Sequence, residues 1–282
     1  MALLKVEMFS AALLRTVTLN VILPVDKRNF AGEELRGDKP FKTLYLLHGI
    51  YGNYMDWVSY TRIREWAEDY NLAVVMPSGE NSFYLDQRNG YAAYSKFIGE
   101  ELVNLTRKMF PLSRERQDTY IGGLSMGGYG SIINGFLYGS TFSRIIALSS
   151  ALVADKALDS AEDAEKPIER RSFYQSVFGD LEKFQGSKAD YRALLLDKKG
   201  QGEEMPDLYM ACGTNDPLLA ANREFKGFLH AHEIKHTYEE WEGSHNWMFW
   251  DQAIEKFMKW LPLEEKEAAM SSGNVGAAEP QS

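Results

Sequence analysis

Cysteine is nearly absent from the sequence, since Cys212 is the only one among 282 residues. An intrachain disulfide is therefore excluded, and cysteine ligands could build neither a zinc finger nor a cluster site. Disulfides persist mainly in oxidising compartments, so a chain without them fits a reducing compartment best. We expect the protein to be cytoplasmic.

Long hydrophobic runs are also missing. No stretch approaches the roughly 20 apolar residues that span a membrane. Near the N-terminus, Lys5 interrupts the apolar residues too early for the hydrophobic region of a signal peptide, and the run 11–14 is too short for one. The sequence therefore predicts neither a signal peptide nor contact with a membrane.

Positive charge is outnumbered by negative charge, with 31 lysine and arginine against 40 aspartate and glutamate residues, and it is scattered along the sequence. The formal net charge is −9, and no cluster of five or more lysine and arginine residues occurs. Binding of the phosphate backbone needs a basic surface, so the charge pattern argues against nucleic acid as a partner. Internal repeats are absent as well, and the sequence leaves open whether the chain acts alone or as a homo-oligomer.

The hydrophobic content is sufficient for a substantial core, with 45% hydrophobic and 13% aromatic residues. We interpret residues 1–262 as a single domain with an insertion at about 151–205, where the rhythm of the chain changes. The insertion is predicted to be helical, and it either covers the functional site or is a plain surface excursion. Residues 263–282 lack the apolar residues to pack, so we predict a disordered tail.

Strand patterns recur along the chain. Residues 15–24 alternate, with Val17, Leu19, Val21 and Leu23 on one face, and residues 5–9 are placed to pair with them as a hairpin. A continuous apolar run typical of a buried parallel strand follows at 43–47, and further buried parallel strands are predicted at 72–76, 119–124, 144–149, 208–212 and 236–241. Helical patterns separate them, so the sequence predicts an α/β fold: a mostly parallel sheet with helices on both faces and an antiparallel N-terminal edge.

One of the helical patterns is strongly amphipathic. Its apolar face is formed by Tyr94, Ile98, Leu102, Leu105 and Met109, which recur at helical spacing. We therefore expect this helix to pack on the sheet with all of these side chains turned inward.

The motif Gly123-Leu124-Ser125-Met126-Gly127 lies where a predicted strand turns into a predicted helix. A serine raised on so tight a turn needs neighbours without side chains, which the two glycines provide. The pattern alone is weak in a chain with 23 glycines, where it could be an ordinary glycine-rich turn. Its position between strand and helix makes Ser125 the predicted nucleophile.

A serine nucleophile needs a base within hydrogen-bond reach and a group that orients the base. Among the five histidines, His245 lies in a short loop between the last strand and the last helix, at the edge of the sheet where the serine is expected. Asp216 follows the strand 208–212, so it is the predicted acid, although it could instead cap the next helix. Asp155, after the preceding strand, is the rival acid. The order Ser125, Asp216, His245 is that of α/β-hydrolases.

Two backbone N–H groups are expected to stabilise the oxyanion of an acyl-transfer reaction. The first is that of Met126, at the start of the helix after the serine. The second should come from the glycine-bearing loop 48–52, where we favour Ile50 and keep Tyr51 as the alternative.

Bulky aromatic residues occur in the loops that should open beside the serine, and Trp57, Tyr84 and Tyr51 are the predicted substrate-binding residues. If they face the serine, they close a shallow slot, and activity should peak near acetyl to butyryl and fall by C8. If they belong to the core instead, they set no limit on chain length.

The motifs and their order resemble the esterase D and S-formylglutathione hydrolase-like family of α/β-hydrolases, and most of all its bacterial tributyrin esterases. The motifs are Leu46-Leu47-His48-Gly49 with Gly52, Asn53 and Trp57; Met76-Pro77; Ser82-Phe83-Tyr84; the serine turn continued to Gly130; Phe178-Gly179-Asp180; and Gly243-Ser244-His245. The similarity extends from about residue 6 to residue 261. Relatives often carry an acidic residue where this chain has Asn246, which bears on fine specificity.

The resemblance implies a serine carboxylesterase that needs no metal or other cofactor and acts on small short-acyl esters, with Ser125, Asp216 and His245 as its triad. Three alternatives stay open at this point. The enzyme could be a thioesterase of the S-formylglutathione hydrolase type, or it could deacylate sugar or plant-wall esters. The chain could also be an inactive hydrolase fold that serves as a binding module.

Overall fold

A single eight-stranded sheet organises the computed structural model, which describes residues 1–35, 39–87, 91–264, 266 and 270. The strands are β1 (Ala2–Ser10), β2 (Arg15–Leu23), β3 (Lys42–Leu47), β4 (Leu72–Pro77), β5 (Thr119–Leu124), β6 (Arg144–Leu148), β7 (Asp207–Gly213) and β8 (His236–Trp241). Their order across the sheet is β1-β2-β4-β3-β5-β6-β7-β8. The strand carrying the serine, β5, is therefore central.

The N-terminal strands form the antiparallel edge that the sequence predicts. β1 pairs antiparallel with β2, and β2 pairs antiparallel with β4. All the remaining neighbours pair in parallel, from β4 through β3, β5, β6 and β7 to β8. The carboxyl ends of these parallel strands meet at one edge, which is where ligands bind in sheets of this kind.

The amphipathic interpretation of β2 holds only for its first half. Thr16 is exposed, but Asn20 and Ile22 are as buried as the predicted core face. Both faces of β2 are covered from Leu19 onward, because Leu19 and Val21 pack in the core on one side of the sheet and Ile22 packs in the core on the other. The buried Asn20 amide is satisfied by donating a hydrogen bond to the Tyr54 carbonyl oxygen at 3.2 Å.

Helices cover both faces of the sheet, as predicted. They are α1 (Asp56–Tyr60), α2 (Ile63–Asp69), α3 (Tyr94–Lys96), α4 (Leu102–Met109), α5 (Met126–Leu137), α6 (Ala154–Leu158), α7 (Arg171–Phe178), α8 (Tyr191–Gly200), α9 (Leu219–Ala231) and α10 (Trp247–Trp260). Side chains of α1, α2 and α10 form the hydrophobic core on one face. The core on the other face is formed by α3 to α9.

The amphipathic helix predicted at 94–109 is interrupted by a π turn at Phe97–Glu101, between α3 and α4. A π turn adds one residue to the helical repeat, so it rotates the inward face of the residues that follow. Tyr94, Ile98 and Leu102 are buried as predicted, but Met109 is 43% exposed. Thr106 is buried in its place, and the prediction for Met109 was wrong.

The insertion at 151–205 is helical, with α6, α7, α8 and two short 3₁₀ turns. Its Phe178 packs edge-on against Phe83 and Tyr129, with ring centroids 5.3 and 5.9 Å apart. The Tyr129 hydroxyl donates to the Ala189 carbonyl oxygen. The insertion therefore packs on α5, the helix that follows the serine, whereas a role in covering the serine stays a prediction.

The C-terminal segment is described in part. Lys266 lies 2.9 Å from the Asp69 carboxylate, and the Met270 N–H donates to the Arg28 carbonyl oxygen at 3.0 Å. The other residues of the tail predicted at 263–282, apart from Leu263 and Glu264, lie outside the described residues. None of the helices in the described part of the chain is long and apolar enough to cross a membrane.

Candidate active site

Ser125 occupies the sharp turn between β5 and α5. Its φ of 53° and ψ of −116° are strained for a residue with a side chain. The turn is fixed on both sides, because the Ser125 N–H donates to the Leu148 carbonyl at 2.8 Å and its own carbonyl accepts from Ala151 at 2.9 Å. A Cβ added at Gly127 would lie 2.5 Å from the Leu47 carbonyl oxygen, so the close approach of α5 to β3 requires glycine there.

The structure brings the three predicted side chains together at the carboxyl edge of the sheet. His245 Nε2 lies 3.1 Å from the Ser125 hydroxyl, and His245 Nδ1 lies 2.9 Å from Asp216 Oδ2. When Nδ1 carries the proton and donates it to the carboxylate, the lone pair of Nε2 faces the serine hydroxyl. Each residue comes from a different loop, after β5, β7 and β8 respectively.

Asp216 is held as a carboxylate. Burial alone would raise the pKa of Asp216. The net shift is nevertheless downward, because the carboxylate is stabilised by the hydrogen bond and charge of His245, and further by the Leu218 N–H and the Ser149 hydroxyl. The Leu218 N–H donates to the second carboxylate oxygen at 2.8 Å. Asp216 thus also closes the turn before α9, but it does not cap that helix, because the N-cap position is Leu218 and no side chain caps it.

The rival acid, Asp155, points elsewhere. It lies at the start of α6, where its carboxylate pairs with Arg192 at 3.3 Å and its side chain is 63% exposed. Arg192 also pairs with Glu224, so this cluster ties the insertion to α9. The carboxylate that contacts His245 is therefore that of Asp216 and not that of Asp155.

Loop 48–52 lies beside the serine, as the sequence predicts. A Cβ added at Gly49 would be 3.5 Å from the Ser125 Cβ. The Tyr51 N–H is engaged, because it donates to Asn81 Oδ1 at 2.9 Å, and this leaves Ile50 as the better candidate for an oxyanion donor. Met126 is the first residue of α5, where N–H groups have no acceptor within the helix.

Residues 79–84 support this loop, and sequence reasoning missed their contribution. His48 is 1% exposed and accepts a hydrogen bond from the Gly79 N–H at Nε2 (2.8 Å), while its Nδ1 lies 2.6 Å from the Gly49 carbonyl oxygen. The Tyr84 hydroxyl donates to the His48 carbonyl at 3.0 Å. The signal that could have found this role is the placement of His48 directly before the glycine loop.

Two of the three predicted substrate-binding residues are core residues. Trp57 is 1% exposed and its indole N–H donates to the Leu47 carbonyl at 3.1 Å; Tyr84 is 0% exposed. Side chains with so little surface cannot line an open slot, so they support the loops from behind. Tyr51, 69% exposed, is the only one of the three that a substrate could reach in the structure as it stands.

The remaining histidines are not near the serine turn. His230 and His232 lie at the end of α9, and His236 begins β8 with its Nδ1 2.8 Å from the Ile234 carbonyl. Within the residues that the structure describes, no three histidine, cysteine, aspartate or glutamate side chains are grouped so that they could hold a metal ion.

The buried His48 makes the stability of the fold depend on pH. Burial lowers its pKa, against the opposing effects of the Gly49 carbonyl and Asp56, so the folded protein keeps it neutral where the unfolded chain is already protonated. We expect the free energy of unfolding to fall as the pH drops below about 6.5. Urea unfolding at pH 7.5 and 5.5 measures the change.

The matched variant for this prediction is His48→Gln, which can accept from the Gly79 N–H but does not titrate. Its free energy of unfolding should change less than that of the wild type between the two pH values. Equal changes in both proteins would show that His48 is not the group responsible.

The sequence of this chain is similar to those of known esterases. The model of the Esterase family matches residues 10–261. An acetyl esterase from Caldicellulosiruptor saccharolyticus is 42% identical over 261 residues, which are 93% of this chain and 98% of that protein.

Solved structures of serine hydrolases are also similar to this chain. The fluorophosphonate-binding serine hydrolase FphF of Staphylococcus aureus is 29% identical, with a TM-score of 0.81 over 92% of this chain and 98% of its own. The S-formylglutathione hydrolase FrmB of the same organism is also 29% identical, with a TM-score of 0.78 and the same coverage. The chain therefore belongs to the Esterase family, and it is a carboxylic ester hydrolase of the serine-hydrolase type with the α/β-hydrolase fold.

Proposed function

We propose that the protein hydrolyses short-acyl oxyesters through an acyl-enzyme on Ser125. The observation that carries the proposal is the pair of hydrogen bonds that joins Ser125 to His245 and His245 to Asp216 on a strained turn. His245 takes the serine proton as the hydroxyl oxygen attacks the ester carbonyl, and Asp216 stabilises the imidazolium. His245 then gives the proton to the departing alcohol, and water activated by the same base releases the acid.

The oxyanion formed in each step is stabilised by the N–H groups of Met126 and Ile50 in this proposal. Both belong to backbone that the fold holds rigidly: Met126 begins α5, and the loop of Ile50 is braced by His48 and Tyr84. Donors fixed before the reaction cost no reorganisation when charge develops. Substrate contact beyond the reacting atoms is assigned to Tyr51, the exposed residue of the loop.

A preference for short acyl groups is supported by two findings. The relative at 42% identity is an acetyl esterase. Ser125 itself is only 7% exposed, so little room is open above it. Forcing a long chain against packed side chains costs about 1–3 kcal/mol, which exceeds the roughly 0.8 kcal/mol that each accepted methylene contributes.

The experiment is a panel of p-nitrophenyl esters from C2 to C12. We expect kcat/KM to be greatest between acetyl and butyryl and to fall at least tenfold by C8, as a loss of about 1.4 kcal/mol would give. An optimum at C8 or longer would contradict the short-acyl proposal while leaving the triad untouched.

A thioesterase of the S-formylglutathione hydrolase type is the second candidate. It is favoured by the structural match to the hydrolase FrmB, at 29% identity. S-formylglutathione, run beside p-nitrophenyl acetate and methyl ferulate, discriminates the candidates by kcat/KM. The cytoplasm, a reducing compartment that fits a chain with a single cysteine, remains the proposed location.

A further inference from the structure

The loop that carries Ile50 contains a tight turn with a strained residue. The Gly52 N–H donates to the Gly49 carbonyl oxygen at 3.2 Å, which closes a β-turn with Ile50 and Tyr51 at its two central positions. Tyr51 has a φ of 66°, whereas the φ of Ile50 is not positive. This combination is that of a type II turn, whose third position normally holds glycine or asparagine because a larger side chain is strained there. Another contact must therefore hold the turn in this form.

A type I turn would relieve the strain at Tyr51. Types I and II join the same two end residues, and they differ mainly by a rotation of the central peptide through roughly half a turn. In this loop the central peptide links the Ile50 carbonyl to the Tyr51 N–H. Its rotation would exchange the directions of these two groups and would change ψ at Ile50. The form of the turn therefore determines the conformation of Ile50.

Asn81 supplies the contact that favours type II. The Tyr51 N–H donates to Asn81 Oδ1 at 2.9 Å, and rotation of the central peptide would turn this N–H away from its acceptor. Asn81 itself lies in a second turn, which is closed by the Ser82 N–H donating to the Gly79 carbonyl at 3.3 Å. That turn is tied to the first loop, because the Gly79 N–H donates to His48 Nε2 at 2.8 Å. The acceptor on Asn81 is thus held in place relative to the turn that it contacts.

The direction of the Ile50 N–H depends on the same turn. The Gly49 carbonyl oxygen accepts from the Gly52 N–H, and His48 Nδ1 lies 2.6 Å from it. Since His48 Nε2 is an acceptor, Nδ1 carries the proton and donates it to this carbonyl. The Ile50 N–H belongs to the same planar peptide and points the opposite way from the carbonyl. It therefore keeps its direction as long as the turn keeps its form.

We propose that Asn81 is a positioning residue, which selects the type II form of the turn 49–52 and thereby holds the Ile50 N–H ready for the oxyanion. The side chain of Asn81 is exposed, and it acts through the backbone of Tyr51. The inference rests on the proposed function, because it takes Ile50 as an oxyanion donor.

The main test is Asn81→Ala. We expect kcat for p-nitrophenyl acetate to fall about tenfold with KM unchanged, because an oxyanion donor that moves by about 1 Å loses much of its effect in the transition state. The inhibition constant of a trifluoromethyl ketone, which forms a tetrahedral oxyanion adduct with serine, should rise by about the same factor. The melting temperature should change little, since the side chain is exposed. A lower melting temperature with unchanged kcat and inhibition would show a merely structural role.

Tyr51→Gly provides the second test. Glycine accepts a positive φ, so the turn should keep its type II form without help from Asn81. This variant should itself have a higher KM, because it removes the side chain assigned to substrate contact. In this background we expect Asn81→Ala to lower kcat by less than about threefold, against about tenfold in the wild type. A loss of the same size in both backgrounds would overturn the proposal.

Ser78→Ala is the matched control. The Ser78 hydroxyl accepts from the Tyr54 N–H at 3.1 Å, so it joins the same two segments of the chain but lies outside the turn 49–52. We expect its kcat to stay within about twofold of the wild type. Equal losses in Ser78→Ala and Asn81→Ala, or wild-type kcat in Asn81→Ala, would overturn the role of Asn81. The proposed function would survive either result if Ser125→Ala were inactive, whereas an active Ser125→Ala would overturn both.

Discussion

Replacing Ser125 with alanine is expected to lower kcat by about 10⁵- to 10⁶-fold, because the members of a triad act as a unit and the nucleophile has no substitute. Only binding and the oxyanion donors would remain to accelerate attack by water. The variant should fold normally, since the backbone hydrogen bonds to Leu148 and Ala151 do not involve the side chain. Steady-state hydrolysis of p-nitrophenyl acetate and thermal unfolding measure the two quantities.

Ser131→Ala serves as the control for this prediction. Ser131 lies in the same helix, is fully buried, and loses a hydrogen bond from its hydroxyl to the Gly127 carbonyl. That change costs about 1 kcal/mol of stability and should leave kcat nearly unchanged. If Ser125→Ala retained a tenth of wild-type activity, another residue would have to be the nucleophile.

Asp216→Asn is expected to reduce kcat by about 10⁴-fold without disturbing the fold. The asparagine amide can donate to His245 Nδ1, which places the imidazole proton on Nε2 and removes the lone pair that now faces Ser125 at 3.1 Å. The turn before α9 should persist, because the remaining carbonyl oxygen can still accept from the Leu218 N–H.

Asp155→Asn is the comparison that separates the two candidate acids. Its carboxylate takes part in a largely exposed pair with Arg192, and pairs of that kind contribute about 0–1 kcal/mol to stability. We expect its kcat to be close to that of the wild type. A large loss in Asp155→Asn together with a small one in Asp216→Asn would move the acid to the loop after β6.

The serine turn and the positions of the strands along the chain were predictable because their patterns are local. Gly123 and Gly127 flank a serine between an apolar strand and a helix, and the close backbone contacts at Gly127 leave no room for a side chain. The placement of Asp216 and His245 followed from each coming after a parallel strand, whose carboxyl ends share one edge. These inferences needed no knowledge of packing distances.

The wrong predictions concern side chains whose orientation and burial depend on tertiary packing. Trp57 and Tyr84 occur in loops beside the serine, but the sequence does not show which way a loop side chain turns, and both are buried. Met109 is exposed because a π turn shifts the helical repeat, which a constant spacing does not anticipate. The support of loop 48–52 by His48 joins segments 31 residues apart, beyond the reach of a local pattern.

The central claim is that Ser125 is the residue made nucleophilic by His245. Reaction with a fluorophosphonate probe, followed by mass spectrometry of the intact protein and of its peptides, tests it most directly, because the probe bonds covalently to an activated serine. We predict one adduct per chain, located on Ser125, with none in Ser125→Ala and much slower labelling in a His245→Ala variant. An adduct on any other residue, or unchanged labelling of Ser125→Ala, would contradict the claim.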